Sequence, residues 1–304
     1  SVLWIFGIHG GNTFDALLTS PTGAFAPNGQ IMTKAFTDTF VLLGGCGTAL
    51  CLLIAVLLFS RDKKKKQLCR LSALPTVFNI NELLIFGIPI VLNPIYAVPF
   101  ILTPLVTYTA AYLATLWGLV PQITNTAVQW TTPIFVSGYQ ATGSIAGSVL
   151  QLVLLLLGVA IYAPFVLLEN RMSRENETRY IETLTGVCRS CEQLGERYAL
   201  GEADVALRTF EDDLASKLSA DILSGDIGLR YQPQVKDGRI IAVESLLRFR
   251  YNDSRFIYPP LVVGIATNRE LFDLLSRAIV RRALADQHIV LAADILHHRF
   301  IEHV

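Results

Sequence analysis

The chain has 304 residues, no formal net charge, 52% hydrophobic residues and only 16% charged ones, against about 25% charged in ordinary soluble domains. Residues 1–168 hold seven Lys/Arg and four Asp/Glu, which leaves 18 of the 25 bases and 21 of the 25 acids to residues 169–304. That asymmetry excludes a single water-soluble globule and implies two solvents and at least two domains.

The first residue is Ser1, and no basic start precedes an apolar core with a cleavage site, so no signal peptide is expected. The reading is of a chain that begins inside a longer protein. Residues 1–36 are rich in Gly, Thr, Asn and Pro and read as loop or re-entrant segments. Thr39–Ser60 is uncharged and long enough for one crossing of a bilayer, which takes about 20 apolar residues. It ends at Arg61-Asp62-Lys63-Lys64-Lys65-Lys66, which fixes a cytoplasmic exit by the positive-inside rule. Polybasic lipid or DNA binding is the sharper reading of the same lysines.

From Leu83 to Leu168 there is no Asp, Glu, Lys, Arg or His. Before it, Leu74–Glu82 leads into an apolar stretch interrupted by Gly87, Pro89 and Pro94. Broken backbone at membrane depth is tolerated only where protein buries it or water lines it. The pattern predicts a re-entrant hairpin with its polar tip at Asn79–Glu82. Residues 96–118 and 147–168 are expected to cross, with a mixed polar and aromatic stretch from Pro121 to Gly143 between them. Glu169-Asn170-Arg171 marks the second exit.

The soluble part opens with a helix. Tyr180, Leu184, Val187, Cys191, Leu194 and Tyr198 are spaced 4, 3, 4, 3, 4, a heptad seam of under three repeats. It suits either a dimerising stalk or an amphipathic helix lying on its own domain. Leu207, Phe210, Leu214, Leu218 and Ile222 form one helical stripe, closed by Gly225. Leu229–Val235 and Ile240–Phe249 read as strands. Thr267–Glu270 reads as a capping box opening a helix to about Ala285, and His288–Asp294 as a third strand. Of the five cysteines, Cys188 and Cys191 make one CxxC with no second pair and no nearby His pair. A zinc site needs about four ligands, so these read as two reduced helix residues.

Glu82 is the only acid between Asp62 and Glu169. A carboxylate inside a bilayer costs about 2.5–3.5 kcal/mol on insertion scales and marks a substrate or ion site by default. With Asn79 and Asn81 beside it, the group suits a ligand covered in hydroxyls. His9, beside Gly10 and Gly11, forms a second polar island.

Gly-Ile-His-Gly-Gly-Asn at 7–12, Phe-Asn-Ile-Asn-Glu at 78–82, Phe-Gly-Ile-Pro-Ile-Val-Leu-Asn-Pro at 86–94 and Trp-Thr-Thr-Pro at 130–133 occur in that order. Together they resemble the C-terminal half of the membrane subunit IIC of the lactose/cellobiose class of phosphoenolpyruvate-dependent sugar phosphotransferase systems, over about residues 1–168. The resemblance implies a sugar permease in the bacterial cytoplasmic (inner) membrane. Its substrate would be a disaccharide of the cellobiose, diacetylchitobiose or lactose class. It implies sugar contacts from His9, Asn81 and Glu82, no catalytic residue, no cofactor, a separate IIB subunit as phosphoryl donor, lipid around it and a homodimer in the full-length protein. Leu83 stands where the family usually has proline, and the family's N-terminal helices have no counterpart before Ser1.

Leu229-Arg230-Tyr231-Gln232-Pro233-Gln234-Val235, Asp237-Gly238-Arg239 and Val243-Glu244-Ser245-Leu246-Leu247-Arg248-Phe249 resemble the start of EAL domains, cyclic di-GMP phosphodiesterases or receptors on a TIM-like barrel. That resemblance covers about 207–304. It implies Gln232, Leu246 and Arg248 on the dinucleotide, and Glu244 and Asp294 as vestigial metal positions for Mg²⁺ or Mn²⁺ in a complete domain. A barrel needs about 200 residues or more, so the segment is expected to be truncated and catalytically inactive.

The resulting expectation is an α-helical polytopic membrane domain with a re-entrant hairpin over 1–168, a cytoplasmic linker helix over 169–203 and a partial α/β, TIM-barrel-like segment over 204–304. Its function would be that of a sugar transport component. The alternative is a membrane-anchored sensor of sugar or cyclic di-GMP in which the permease half acts as a receptor.

Overall fold

The computed structural model describes residues 31–286 apart from 32, 89, 91–92, 125–126, 202–203, 237–238 and 253–255. His9 and Asp294, and the strand expected at 288–294, lie outside the described residues. The chain divides into two compact units, Ser1–Met172 and Ser173–Val304.

In the first unit, α1 (Lys34–Phe40) is capped by Thr33, whose hydroxyl accepts from the Phe36 N–H at 3.1 Å. The continuous crossing expected over 39–60 is broken. Gly44, Gly45 and Gly47 have φ of +79°, +95° and +71°, a region that glycine enters at no steric cost. The helix therefore restarts as α2 (Ala49–Phe59), 11 residues long. Asp62 then caps α3 (Lys63–Val77), accepting from the Lys64 N–H at 2.8 Å and the Lys65 N–H at 3.2 Å. The turn that follows leads into α4 (Glu82–Gly87), so the polar tip expected at Asn79–Glu82 falls at a turn between two helices.

Asn93 caps α5 (Pro94–Leu116), with Pro94 in the first turn where its missing N–H costs nothing. A short α6 (Val136–Thr142) precedes α7 (Ile145–Leu194). Among the described residues, α5 and α7 are the two helices long and apolar enough to cross a membrane. They overlap the stretches 96–118 and 147–168 that the sequence marks as apolar enough to cross. The core gathers Phe36, Phe40, Leu52, Tyr96, Phe100 and Tyr162, all nearly inaccessible.

Glu169 and Asn170 do more than mark an exit. The Glu169 carboxylate pairs with Lys65 and accepts from the Tyr96 hydroxyl at 2.5 Å and the Asn93 amide at 3.3 Å. Asn170 accepts from the Arg61 N–H at 3.0 Å and donates to the Phe59 carbonyl at 2.8 Å. The first lysine-rich turn is thus held to the ends of α2, α5 and the apolar part of α7.

In the second unit, α8 (Val205–Ser224) ends at Gly225, whose φ of +75° is the left-handed stop read from the sequence. β1 (Leu229–Lys236) and β2 (Arg239–Leu247) pair antiparallel in a two-stranded sheet with an irregularity at Gln234/Val235. α9 (Pro259–Asn268) and α10 (Phe272–Ala285) follow. The capping-box expectation is corrected here. Thr267 lies inside α9, and its hydroxyl donates back to the Val263 carbonyl at 2.8 Å. Pro259 and Pro260 start that helix, and the next begins only at Phe272. No barrel is formed by the described residues.

The heptad seam is turned onto its own domain. Leu184 and Cys188 are buried in one core with Phe210, Leu214 and Leu261, and Tyr180 and Val187 pack against it. Leu194 is 72% exposed and stays outside.

Candidate functional site

The tip at 78–81 is built by a Schellman stop. The Ile80 N–H reaches the Pro75 carbonyl and the Asn79 N–H the Thr76 carbonyl, both at 3.0 Å. This places Asn79 at φ +63°, a left-handed position that asparagine accepts better than most residues. The Asn79 side chain then binds two other segments. Its oxygen accepts from the Gly44 N–H at 2.8 Å, and its nitrogen donates to the carbonyls of Trp130 at 2.5 Å and Thr132 at 3.4 Å. Asn81 is 3% exposed and donates to the Cys46 carbonyl at 3.0 Å.

The approach of the glycine turn is close. A Cβ on Gly45 would lie 2.7 Å from the Asn79 carbonyl oxygen and 2.8 Å from the Asn81 amide. Three interrupted segments, 44–47, 79–82 and 130–132, therefore meet at one point. Glu82, the first residue of α4, is exposed there while both asparagines are buried.

Trp130 is 57% exposed and lines an open cleft of about 370 Å³ with Thr33, Lys34, Asp38, Val128 and Gln129. Lys34 and Asp38 form an ion pair at 2.8 Å within that lining. In the sequence Trp130 stands out only as the first residue of the Trp-Thr-Thr-Pro motif. The signal that could have found it is an aromatic residue between two helix-free polar stretches.

In the second unit, cross-strand pairing sets Gln232 opposite Glu244, and Leu246 lies two residues on, on the same face of β2. Gln232 and Glu244 are exposed. The Arg248 guanidinium, just past the strand, donates to the Leu247 carbonyl at 2.9 Å. Arg248 also lines an open cleft of about 650 Å³ with Arg189, Glu182 and Tyr258. No group of three or more His, Cys, Asp or Glu placed to hold a metal ion occurs among the described residues.

Residues 1–104 match the family Phosphotransferase system, EIIC. The Bacillus subtilis permease IIC component YwbA is 44% identical over 176 residues, 54% of this chain and 40% of that protein. The cellobiose-specific EIIC component of Geobacillus stearothermophilus is 38% identical over 178 residues, 54% and 40% of the two chains. The crystal structure of the transporter ChbC, the IIC component of an N,N'-diacetylchitobiose-specific phosphotransferase system, superposes with a TM-score of 0.50 at 41% identity. That superposition covers 56% of this chain and 42% of ChbC.

Over its N-terminal part the chain is similar to phosphotransferase EIIC domains of the cellobiose/lactose class. The family match stops at residue 104, short of the 168 expected, while the matched relatives extend over just above half of the chain. The chain spans about two fifths of the length of these relatives. EIIC relatives are transport components rather than enzymes. None of the comparisons supports an EAL domain in residues 204–304.

Proposed function

We propose that the EIIC unit carries the disaccharide-binding part of a phosphotransferase permease in the bacterial inner membrane, with Glu82 as the principal sugar contact. One observation carries the reading. Asn79 and Asn81 use their amides to fix the tip to Gly44, Cys46, Trp130 and Thr132, while the adjacent Glu82 side chain stays exposed. The tip is rigid and its carboxylate is available, which is what preorganised recognition of hydroxyls requires. A carboxylate accepts two sugar hydroxyls in parallel, and the face of Trp130 suits the C–H face of a pyranose ring. Asn81 acts mainly by holding the tip on which Glu82 sits, through its bond to the Cys46 carbonyl. His9 falls within the matched residues and completes the set on the strength of its motif.

The names of the relatives support a β-linked disaccharide of the cellobiose or diacetylchitobiose type. Lactose-specific components match at lower identity. The phosphoryl donor would be a IIB subunit on the cytoplasmic side, the lipid-embedded unit would cross the membrane several times, and the full-length protein would be a homodimer. No cofactor is needed for transport.

Binding of radiolabelled cellobiose and diacetylchitobiose to the chain in detergent tests this. A hydrogen bond to a charged group contributes about 1.5–3 kcal/mol, so Glu82→Gln should weaken binding by about tenfold to a hundredfold. Equal binding by wild type and Glu82→Gln would refute the assignment of Glu82.

A second reading, a membrane-anchored sensor with a degenerate EAL segment, is favoured by the register that sets Gln232, Glu244 and Leu246 on one face. In that reading Gln232, Leu246 and Arg248 contact cyclic di-GMP, and Glu244 is a remnant metal position. Titration with cyclic di-GMP, wild type against Arg248→Ala, separates it from the first.

A further inference from the structure

We infer that Gln151, an uncharged residue in the apolar part of α7, is a positioning residue for the sugar site, and that with Asn79 it forms a pair of amide clamps across the same two segments. The inference deepens the disaccharide reading and rests on it for its functional half.

Gln151 is fully buried. A primary amide has two donors and a carbonyl oxygen with two lone pairs, and here all four are used. The oxygen accepts from the Phe135 N–H at 2.6 Å and the Gly138 N–H at 3.1 Å. The nitrogen donates to the Thr39 carbonyl at 2.7 Å and the Ser137 hydroxyl at 2.9 Å. A buried amide satisfied four times is costly to disturb, because each lost partner leaves a desolvated group behind.

The partners matter more than their number. Asn79 joins Gly44 to Trp130 and Thr132. Gln151 joins Thr39 to Phe135, Ser137 and Gly138. Both amides therefore tie the segment 39–44 to the segment 130–138, one near each end. Trp130 is the most exposed residue of that second segment, and the cleft beside it is also lined by Thr33, Lys34, Ala35 and Asp38, on the helix that leads into the first.

The stretch needs holding. Phe135 has φ +71°, a left-handed conformation unfavourable for an aromatic residue that persists only where surrounding contacts over-determine it. Ser148, one turn before Gln151 on the same helix face, donates to the Phe135 carbonyl at 2.6 Å. The surface is matched in shape as well. A Cβ on Gly138 would lie 2.5 Å from the Gln151 oxygen, and one on Gly147 would lie 2.4 Å from the Gly138 carbonyl. Neither glycine admits a side chain without moving the clamp.

The test compares the full chain in detergent as wild type, Gln151→Leu, Gly138→Ala and Leu154→Ala. Leu154 is fully buried on the same helix and has no polar partner, so its truncation reports lost packing alone. Gly138→Ala leaves Gln151 in place and displaces its amide, which covers the case in which Gln151→Leu fails to fold. Hydrogen–deuterium exchange over residues 129–143 is measured without sugar, and cellobiose or diacetylchitobiose affinity is measured in parallel. Gln151→Leu and Gly138→Ala should speed exchange over this stretch by about tenfold relative to Leu154→Ala and weaken the sugar by about tenfold. Exchange no faster than in Leu154→Ala overturns the clamp, whatever the sugar does. Fast exchange with unaltered affinity overturns its role at the site. Wild type that binds neither disaccharide refutes the sugar reading itself, and the exchange result still decides the clamp.

Discussion

At Gly45 the backbone alone determines what the residue can be. Its φ of +95° strains any L side chain, and a Cβ would press on the Asn79 carbonyl and the Asn81 amide. Gly45→Ala should therefore destabilise the EIIC unit by about 2 kcal/mol or more, combining strain with the displaced tip. Its thermal midpoint in detergent should drop by several degrees, and disaccharide affinity with it. An unchanged midpoint would mean that the three segments do not meet as described. Residues of this kind were only half legible. Glu82 stood out because a lone acid in an apolar run is expensive, and Asn79 and Asn81 because they flank it. The sequence could not show that the asparagines spend their amides on backbone, nor that Gln151 is a clamp, since it is one of four glutamines in a charge-free stretch and carries no periodic or electrostatic signal.

Elements were read well where one physical signal dominated and poorly where two competed. α5 and the first part of α7 followed from unbroken apolar length, and the hairpin from Pro and Gly flanking a polar tip. The helix expected over 39–60 is broken because Gly44, Gly45 and Gly47 take left-handed conformations that apolar length does not override. The Thr267–Glu270 box failed because Pro259 and Pro260, better starting signals, already opened a helix whose last turn contains Thr267. The seam on α7 was undecidable from spacing, as a stalk and a domain-packing helix have the same period.

Packing of α8 on its neighbours yields a pH-dependent expectation. Glu211 is 7% exposed. Burial pushes its carboxyl above the ordinary value of 4.5, opposed by the Tyr198 hydroxyl and Arg269, reinforced by Asp212, and opposed again by Arg208. A carboxyl whose folded pKa is raised binds more protons folded than unfolded, so its contribution is favourable at low pH and is lost as pH rises through the folded value. Glu211→Gln should flatten the pH dependence of the second unit's stability above pH 4.5 and raise its midpoint at neutral pH by a few degrees. Thermal scans from pH 4.5 to 8 check this, and an identical slope in wild type and variant would refute it.

At the scale of the whole molecule, two cores with separate memberships, one around Phe100 and Tyr162 and one around Leu214 and Leu261, predict two unfolding events rather than one. The first core is built from apolar helices with glycine breaks and amide clamps. The second contains a two-stranded sheet, an element of marginal stability on its own in water, and leans on α7, α8 and α9. Ligand linkage then tells the two functional readings apart without any assay of transport. A ligand that binds only the folded state stabilises by RT ln(1 + [L]/Kd), about 2.7 kcal/mol at a hundredfold excess over Kd. Cellobiose or diacetylchitobiose should shift only the transition of the EIIC unit, and Glu82→Gln should abolish that shift. Cyclic di-GMP should shift only the other transition if the sensor reading holds, and neither if it does not. Following Trp130 and Trp117 fluorescence together with far-ultraviolet circular dichroism assigns the transitions, because both described tryptophans lie in the first unit. A single transition moved equally by a disaccharide would mean that the two cores unfold as one, and the division into independent units would have to be abandoned.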